Sequence, residues 1–256
     1  MVEDFNQPRP HDSGIAPKKI LVVDDDPAIR NLVYRFLGQQ NYLMESAGDG
    51  KTALARFEQF QPDLVILDVI LPDIIGYEVC QQMKKSRTGT LVMLLTGLAD
   101  VEHQVTGLEW ADAYVTKPFH LRLLEKQVQA LLRFLQPPVH PEERKRFVFE
   151  KLVIDPVSRE VTFDNQIVSL TALEFDLLHF LAKHSKQALS RKDLIRDVWG
   201  HEFVADERVV DVHIGQIRRK LEPNISKPIF IHTVRGFGYK FEPPSPTQNK
   251  NVQLMG

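Results

Sequence analysis

The chain has 256 residues, 43% of them hydrophobic and 26% charged, with a formal net charge of −2; this is the profile of a globular protein with room for two ordinary domains. A single cysteine, Cys80, excludes an internal disulfide framework and a cysteine-based zinc site. No apolar run approaches the roughly 18 residues of a membrane span, and Met1-Val-Glu-Asp-Phe-Asn does not read as a signal peptide, so no membrane partner and a cytoplasmic setting are expected.

In chain order, residues 1–17 hold three prolines and few apolar side chains and are expected to form a disordered tail. Lys19-Ile-Leu-Val-Val then runs into Asp24-Asp25-Asp26. A helical pattern follows, with Pro27 at its first position and Ile29, Leu32, Val33, Phe36 and Leu37 on one stripe. Ala53, Leu54 and Phe57 mark a second helix, Val79 and Met83 a third, and Val101, Val105 and Leu108 a weaker fourth. Leu121, Leu124, Val128, Leu131 and Leu132 build the fifth. Between them, Asp63-Leu-Val-Ile-Leu-Asp68, Leu91-Val-Met-Leu-Leu-Thr96 and Ala113-Tyr-Val-Thr-Lys117 are short apolar runs, the pattern of parallel strands buried on both faces. Five strands alternating with five helices predict an open, doubly wound α/β domain over 18–136.

The proline-rich, charged stretch 137–146 reads as a linker. Beyond it, Phe147–Ile154, Glu160–Phe163 and Gln166–Leu170 are strand-like, with Asp164-Asn165 as a turn. Helices are expected near 172–184, 191–198 and 207–222, then strands on either side of Arg235-Gly236-Phe237. Strands, three helices and a closing hairpin are the order of an α+β winged helix-turn-helix domain, here 147–242, before a second tail at 243–256. Residues 18–136 carry 13 basic and 15 acidic side chains and residues 145–242 carry 16 and 14, an asymmetry too slight to argue by itself for a nucleic-acid partner.

Ligands of open parallel sheets bind beyond the carboxyl ends of the strands, which collects Asp24, Asp25, Asp68, Thr96 and Lys117 at one rim. A carboxylate can attack a phosphoryl group and carry it as an acyl phosphate, given a divalent cation and a fixed positive charge. Magnesium suits such carboxylates, with Lys117 as the fixed cation and Thr96 bonding a phosphoryl oxygen. Asp26 reads instead as a helix cap. Cys80 reads as a buried helix residue.

Ile20-Leu-Val-Val-Asp-Asp-Asp, Leu67-Asp68-Val-Ile-Leu-Pro72-Asp-Ile-Ile-Gly76 and Tyr114-Val-Thr-Lys117-Pro-Phe resemble the receiver domain of bacterial two-component response regulators, a flavodoxin-like fold with a five-stranded parallel sheet. The resemblance implies Asp68 as phosphoacceptor and Mg2+ held by Asp24, Asp25, Asp68 and the Ile70 carbonyl. Lys117 would pair with the phosphoryl group, Thr96 and Tyr114 would form the coupled switch, and Lys117–Pro118 would be cis.

In the second domain, Val210, Ile214, Ile217 and Leu221 recur on one stripe of the helix from Glu207. Arg208, Val212, Gly215, Gln216 and Arg219 then lie opposite, with His213 and Arg218 on the flanks. Gln suits adenine, Arg guanine and Val a thymine methyl, and Arg208, His213, Arg218 and Lys220 are placed to reach phosphates; an ordinary amphipathic surface helix has the same pattern. Thr171-Ala-Leu-Glu-Phe-Asp-Leu-Leu, Leu189-Ser-Arg-Lys-Asp-Leu-Ile-Arg-Asp-Val-Trp199-Gly, Arg208-Val-Val-Asp-Val-His-Ile and Thr233-Val-Arg-Gly-Phe-Gly-Tyr239 resemble the effector domain of the OmpR/PhoB family. That resemblance implies a recognition helix at Glu207–Leu221 and a wing whose Arg235 enters the minor groove. It also implies a non-enzymatic transcription factor with four partners: double-stranded DNA carrying repeated half-sites, a sensor histidine kinase, RNA polymerase and a second copy of the receiver on activation.

The chain departs from the family pattern in three places. Trp110 stands where a helix-ending glycine is usual. Ala113, Leu123 and Gln127 replace charged residues of the face through which such receivers pair, which predicts a less ionic, more apolar dimer surface. Gly215 and Gln216 stand where basic residues are common. A phosphorylation-independent regulator is one alternative. An aspartate-nucleophile phosphatase is another, but it needs an acid where Ile70 stands.

Overall fold

The computed structural model describes residues 16–97, 110–135, 145–200 and 207–244. Five parallel strands, β1 (Lys19–Val23), β2 (Leu43–Ala47), β3 (Leu64–Asp68), β4 (Leu91–Gly97) and β5 (Ala113–Lys117), form a sheet in the order β2-β1-β3-β4-β5. Helices α1 (Pro27–Gly38), α2 (Gly50–Phe60), α3 (Gly76–Ser86) and α4 (Leu121–Leu132) accompany them. The pattern at Val101, Val105 and Leu108 lies outside the described residues.

The apolar runs are strands because both faces are covered. Ile20, Val22, Leu64, Ile66, Met93 and Leu95 pack on one side with α1 and α4. Leu21, Val23, Val65, Leu67, Val92 and Leu94 pack on the other with α2 and α3. Cys80 lies in this second core, and burial pushes its thiol up to about 12, leaving it unreactive. Asp26 caps α1 by accepting from the Ala28 N–H at 2.8 Å, with Pro27 opening the helix.

The second domain begins with an antiparallel sheet, β6 (Phe147–Phe149), β7 (Leu152–Asp155), β8 (Glu160–Phe163) and β9 (Gln166–Ile167). The single strand expected over Phe147–Ile154 is a hairpin, because Glu150 adopts a positive φ of 48° and reverses the chain. Asp164 and Asn165, at φ 51° and 64°, make the expected turn. Then come α5 (Ala172–Lys183), β10 (Ala188–Ser190), α6 (Arg191–Leu194) running into a wider turn over Ile195–Trp199, and α7 (Arg208–Leu221). The hairpin β11 (Ile231–Val234) and β12 (Gly238–Phe241) closes the domain. A capping box starts α5, Thr171 Oγ1 accepting from the Glu174 N–H and Glu174 accepting from the Thr171 N–H. Strand β10, absent from the sequence pattern, pairs with β12, and a Cβ on Gly238 would overlap the Leu189 carbonyl. Only glycine permits that approach.

The domains meet at a seam. Arg133, in the 3-10 turn Arg133–Leu135 after α4, donates from Nη2 to the Trp199 carbonyl at 2.9 Å. Trp199 Nε1 reaches the Asp112 carbonyl at 3.5 Å. Gly200 has φ +106°, and a Cβ there would overlap the Arg133 guanidinium.

Candidate phosphoryl site and nucleic-acid interface

The carboxyl ends of β1 and β3 place Asp24, Asp25 and Asp68 so that one carboxylate oxygen of each lies within 4.8 Å of the others. Asp24 is fully buried and Asp25 exposed. Lys117, ending β5, donates from Nζ to Asp24 at 2.7 Å and to Asp68 at 2.6 Å, and its bond to Pro118 is cis. One ammonium therefore bridges the two buried members of this trio of carboxylates. Burial raises the Asp24 carboxyl above its ordinary range, an effect that Lys117 opposes without cancelling. The bridge in turn raises the Lys117 ammonium, against its own desolvation.

Each of these groups is held from behind. The Asp26 N–H donates to Asp24 at 2.9 Å, and the Ile70 N–H to Asp68 at 3.3 Å. Thr96 is buried, in the residue beyond Leu95, which pairs with Asp68. Tyr114 on β5 is half-buried and packs against both receiver cores. Ile70 itself is exposed beside the site.

Two further supports were not singled out from the sequence. Arg30 donates from Nη1 to the Asp24 carbonyl at 2.5 Å and to the Asp25 carbonyl at 3.3 Å, fixing the acidic turn. Asp73 accepts from the Gly50, Lys51 and Ile74 N–H groups at 2.7, 3.0 and 2.9 Å, tying the loop after Asp68 to the start of α2. Those bonds hold its carboxyl below the usual range. Asp73 stands inside the Pro72-to-Gly76 motif, so its position was legible and its partners were not.

In the second domain the predicted stripe of α7 is the core stripe, with Val210, Ile214, Ile217 and Leu221 all buried. Arg208 and Arg219 are exposed; Val212, Gly215 and Gln216 are half-exposed; Arg235 is exposed on the wing beside Gly236 at φ 71°. Arg218 is occupied, donating to the Ile231 carbonyl at 2.6 Å and to Thr233 Oγ1 at 2.9 Å, which ties α7 to β11. Asp211 adds a second tie, accepting from Tyr239 at 2.7 Å and Arg191 at 2.6 Å. Glu222 adds a third, accepting from the Ile229, Phe230 and Ile231 N–H groups at 2.7, 3.0 and 2.9 Å. These three ties join α7 to the closing hairpin and to α6.

Two expectations are corrected. His213, expected to reach a DNA phosphate, is only 4% exposed, because it packs against Trp199 with ring centroids 5.7 Å apart and faces Asp112 across the seam. Ala113 and Gln127, expected on an exposed apolar dimer face, are 0% and 2% exposed, and Leu123 is half-buried.

A phosphoryl-type acidic rim on a doubly wound sheet, followed by a winged helix, defines a receiver joined to a DNA-binding effector. The family model described as "Response regulator receiver domain" matches residues 20–129, and "Transcriptional regulatory protein, C terminal" matches 164–241. The chain belongs to the OmpR/PhoB-type response regulators, the transcriptional regulators of two-component systems. It is 38% identical over 238 residues to the transcriptional regulatory protein TrcR of Mycobacterium tuberculosis, covering 93% of this chain and 91% of that one. It is 40% identical over 234 residues to the alkaline phosphatase synthesis transcriptional regulatory protein PhoP of Bacillus subtilis, covering 89% and 98%. Among solved structures, a RitR mutant superimposes with a TM-score of 0.69 at 27% identity, covering 89% of this chain and all of that one. No helix among the described residues is long and apolar enough to cross a membrane.

Proposed function

We propose that the unit 18–136 takes a phosphoryl group on Asp68 from a sensor histidine kinase, and that this controls DNA occupancy by the unit 147–242. The observation that carries the reading is the Lys117 ammonium bridging Asp24 and Asp68 beside Asp25. An Asp68 carboxylate oxygen attacks phosphorus, the O–P bond forms as the donor's P–N bond breaks, and the departing imidazole keeps the electron pair and takes a proton. Lys117 supplies fixed positive charge to the phosphoryl oxygens, and Arg30 and Asp73 hold the loops that flank them. The donor set is all hard oxygen, which fits Mg2+; Asp24, Asp25, Asp68 and the Ile70 carbonyl would hold the ion, which would add charge neutralisation. Thr96 and Tyr114 then respond to the new group, biasing an existing equilibrium between arrangements of the two domains.

On the output side, Arg208 and Arg219 contact phosphates, Gln216 and Val212 face base edges in the major groove, and Arg235 enters the minor groove. Arg218 positions the wing. Phosphorylated receivers pair around β5 and α4, so that two effector domains meet repeated half-sites in the cytoplasm and engage RNA polymerase. Asp68→Asn abolishes labelling by acetyl phosphate with Mg2+ present; undiminished labelling of that variant overturns the assignment.

A further inference from the structure

The seam between the domains holds a buried titratable group that the phosphoryl chemistry does not use. His213, on the helix proposed to read DNA, is enclosed by Trp199 and by Asp112 of the receiver. Among the described residues its Nε2 is one of two buried side-chain polar atoms without a hydrogen-bond partner. A neutral imidazole tolerates this enclosure. An imidazolium does not, since it would be a buried cation with one N–H unmet.

Every charge that faces the ring is already committed. The Asp112 carboxylate accepts from Lys84 Nζ at 2.5 Å and from the Val92 N–H at 2.7 Å. Glu174 on α5 is paired with Lys220 of α7 at 2.6 Å and is also bonded by the Thr171 N–H. Lys84 of α3 faces the ring as a repelling cation, and Arg133 binds the neighbouring Trp199 carbonyl. No free carboxylate among these groups waits to receive a proton-bearing ring. Desolvation outweighs the pull of Asp112 and Glu174 and lowers the His213 imidazole below its ordinary value.

We propose that the Trp199–His213–Asp112 seam is an acid-sensitive latch: it closes with His213 neutral, covering part of α7, and protonation of His213 in the undocked state releases the effector. The inference rests on the proposed DNA role of α7 only for its consequence. The sign follows from linkage. The released state binds the proton at the ordinary imidazole value and the closed state binds it less readily. Closure is therefore unaffected above about pH 6.5, and below it the opening constant rises toward tenfold per pH unit until the closed state also titrates.

The 256-residue chain carries two tryptophans, so a Trp110→Phe background leaves Trp199 as the sole indole reporter. Acrylamide quenching of Trp199 is followed from pH 8 to 5.5, without DNA, in this background and with His213→Leu, His213→Gln or Arg133→Ala added. Quenching is expected to rise below pH 6.5 with His213 present and to stay flat in both His213 variants. Arg133→Ala, which loses the seam bond but leaves the imidazole in place, is expected to quench more at every pH and to keep the acid response. The same acid response in the His213 variants, or a flat profile in both the His213 parent and Arg133→Ala, overturns the latch. A separate DNA titration at pH 7.5 should show tighter binding by Arg133→Ala. Binding by neither protein would defeat the DNA reading and leave the quenching result standing.

Discussion

Replacing Lys117 by methionine tests the site by removing the charge that bridges Asp24 and Asp68. In the folded protein the ammonium sits 2.6 and 2.7 Å from carboxylates whose side chains are 8% and 0% exposed. At an effective dielectric of about 20, each contact carries about 6 kcal/mol of attraction before dehydration is charged against it. Deleting one partner of a buried pair costs about 3–5 kcal/mol, because the remaining charge stays buried and unpaired. Lys117 is 22% exposed, so water screens part of the loss and the lower end, about 3 kcal/mol, is expected. Burial already raises Asp24, and without Lys117 it rises further. For an acid whose folded value lies above its unfolded value, the penalty is full at neutral pH and fades as pH falls through the folded value. The variant should therefore lose most stability near pH 7 in EDTA and regain part of it toward pH 5. Because Lys117 no longer competes for Asp24 and Asp68, Mg2+ should bind the variant more tightly than the parent while phosphorylation slows. At 100 times its dissociation constant, Mg2+ returns about 2.7 kcal/mol. Urea unfolding followed by circular dichroism, with EDTA or Mg2+ and at both pH values, measures all of this. Equal midpoints for parent and variant in EDTA at pH 7, or no larger gain from Mg2+ in the variant, would refute the reasoning.

The same elevation of Asp24 makes protons compete with Mg2+ sooner than at an ordinary carboxylate, so calorimetric Mg2+ affinity should begin to fall while pH is still above the usual aspartate range. Glu222→Ala strands three backbone N–H groups that its carboxylate now serves and should cost about 3 kcal/mol, read as a lower urea midpoint of the effector transition. A methyl added at Gly215 would meet nothing within 4 Å, so Gly215→Ala should stabilise α7 by about 1 kcal/mol, read the same way; a loss of stability would show an unseen constraint there.

Four of the five strands were legible because burial on two faces leaves a continuous apolar signature, and each of those runs leads into a residue of the acidic rim; β2, with Glu45 and Ser46 in its middle, has no such signature. The core stripe of α7 was legible for the same reason, as a period. What the pattern hid was tertiary. Phe147–Ile154 has the composition of one strand, yet Glu150 reverses it; nothing in a run of apolar residues forbids a left-handed turn at a glutamate. The three residues Ala188–Ser190 are too short to announce a strand and form one only because Gly238 lets β12 approach. His213 was placed toward DNA by helix geometry alone. A helical wheel gives the angle of a side chain but does not know that a second domain stands there.

The seam also explains why buried charge is concentrated around Asp112. That residue's carboxylate is held by Lys84, near the end of α3, and by the N–H of Val92 on β4, while its carbonyl receives Trp199. The other end of α3 begins at Gly76, whose N–H bonds the Val69 carbonyl and where a Cβ would overlap the carbonyl of Asp68. One 11-residue helix therefore abuts Asp68 at its start and the domain seam at its end. Packed interiors do not compress, so displacement at one end of such an element is felt at the other. The Lys84–Asp112 pair is 6% and 2% exposed, a costly arrangement where an apolar pair would pack as well. Its bonds are directed: Lys84 Nζ also donates to the Thr90 carbonyl at 2.8 Å, so the end of α3 is tied to the residues that lead into β4 and β5. The residue that anchors α3 through its carboxylate is the residue whose carbonyl receives Trp199, so the end of α3 and the seam share one support.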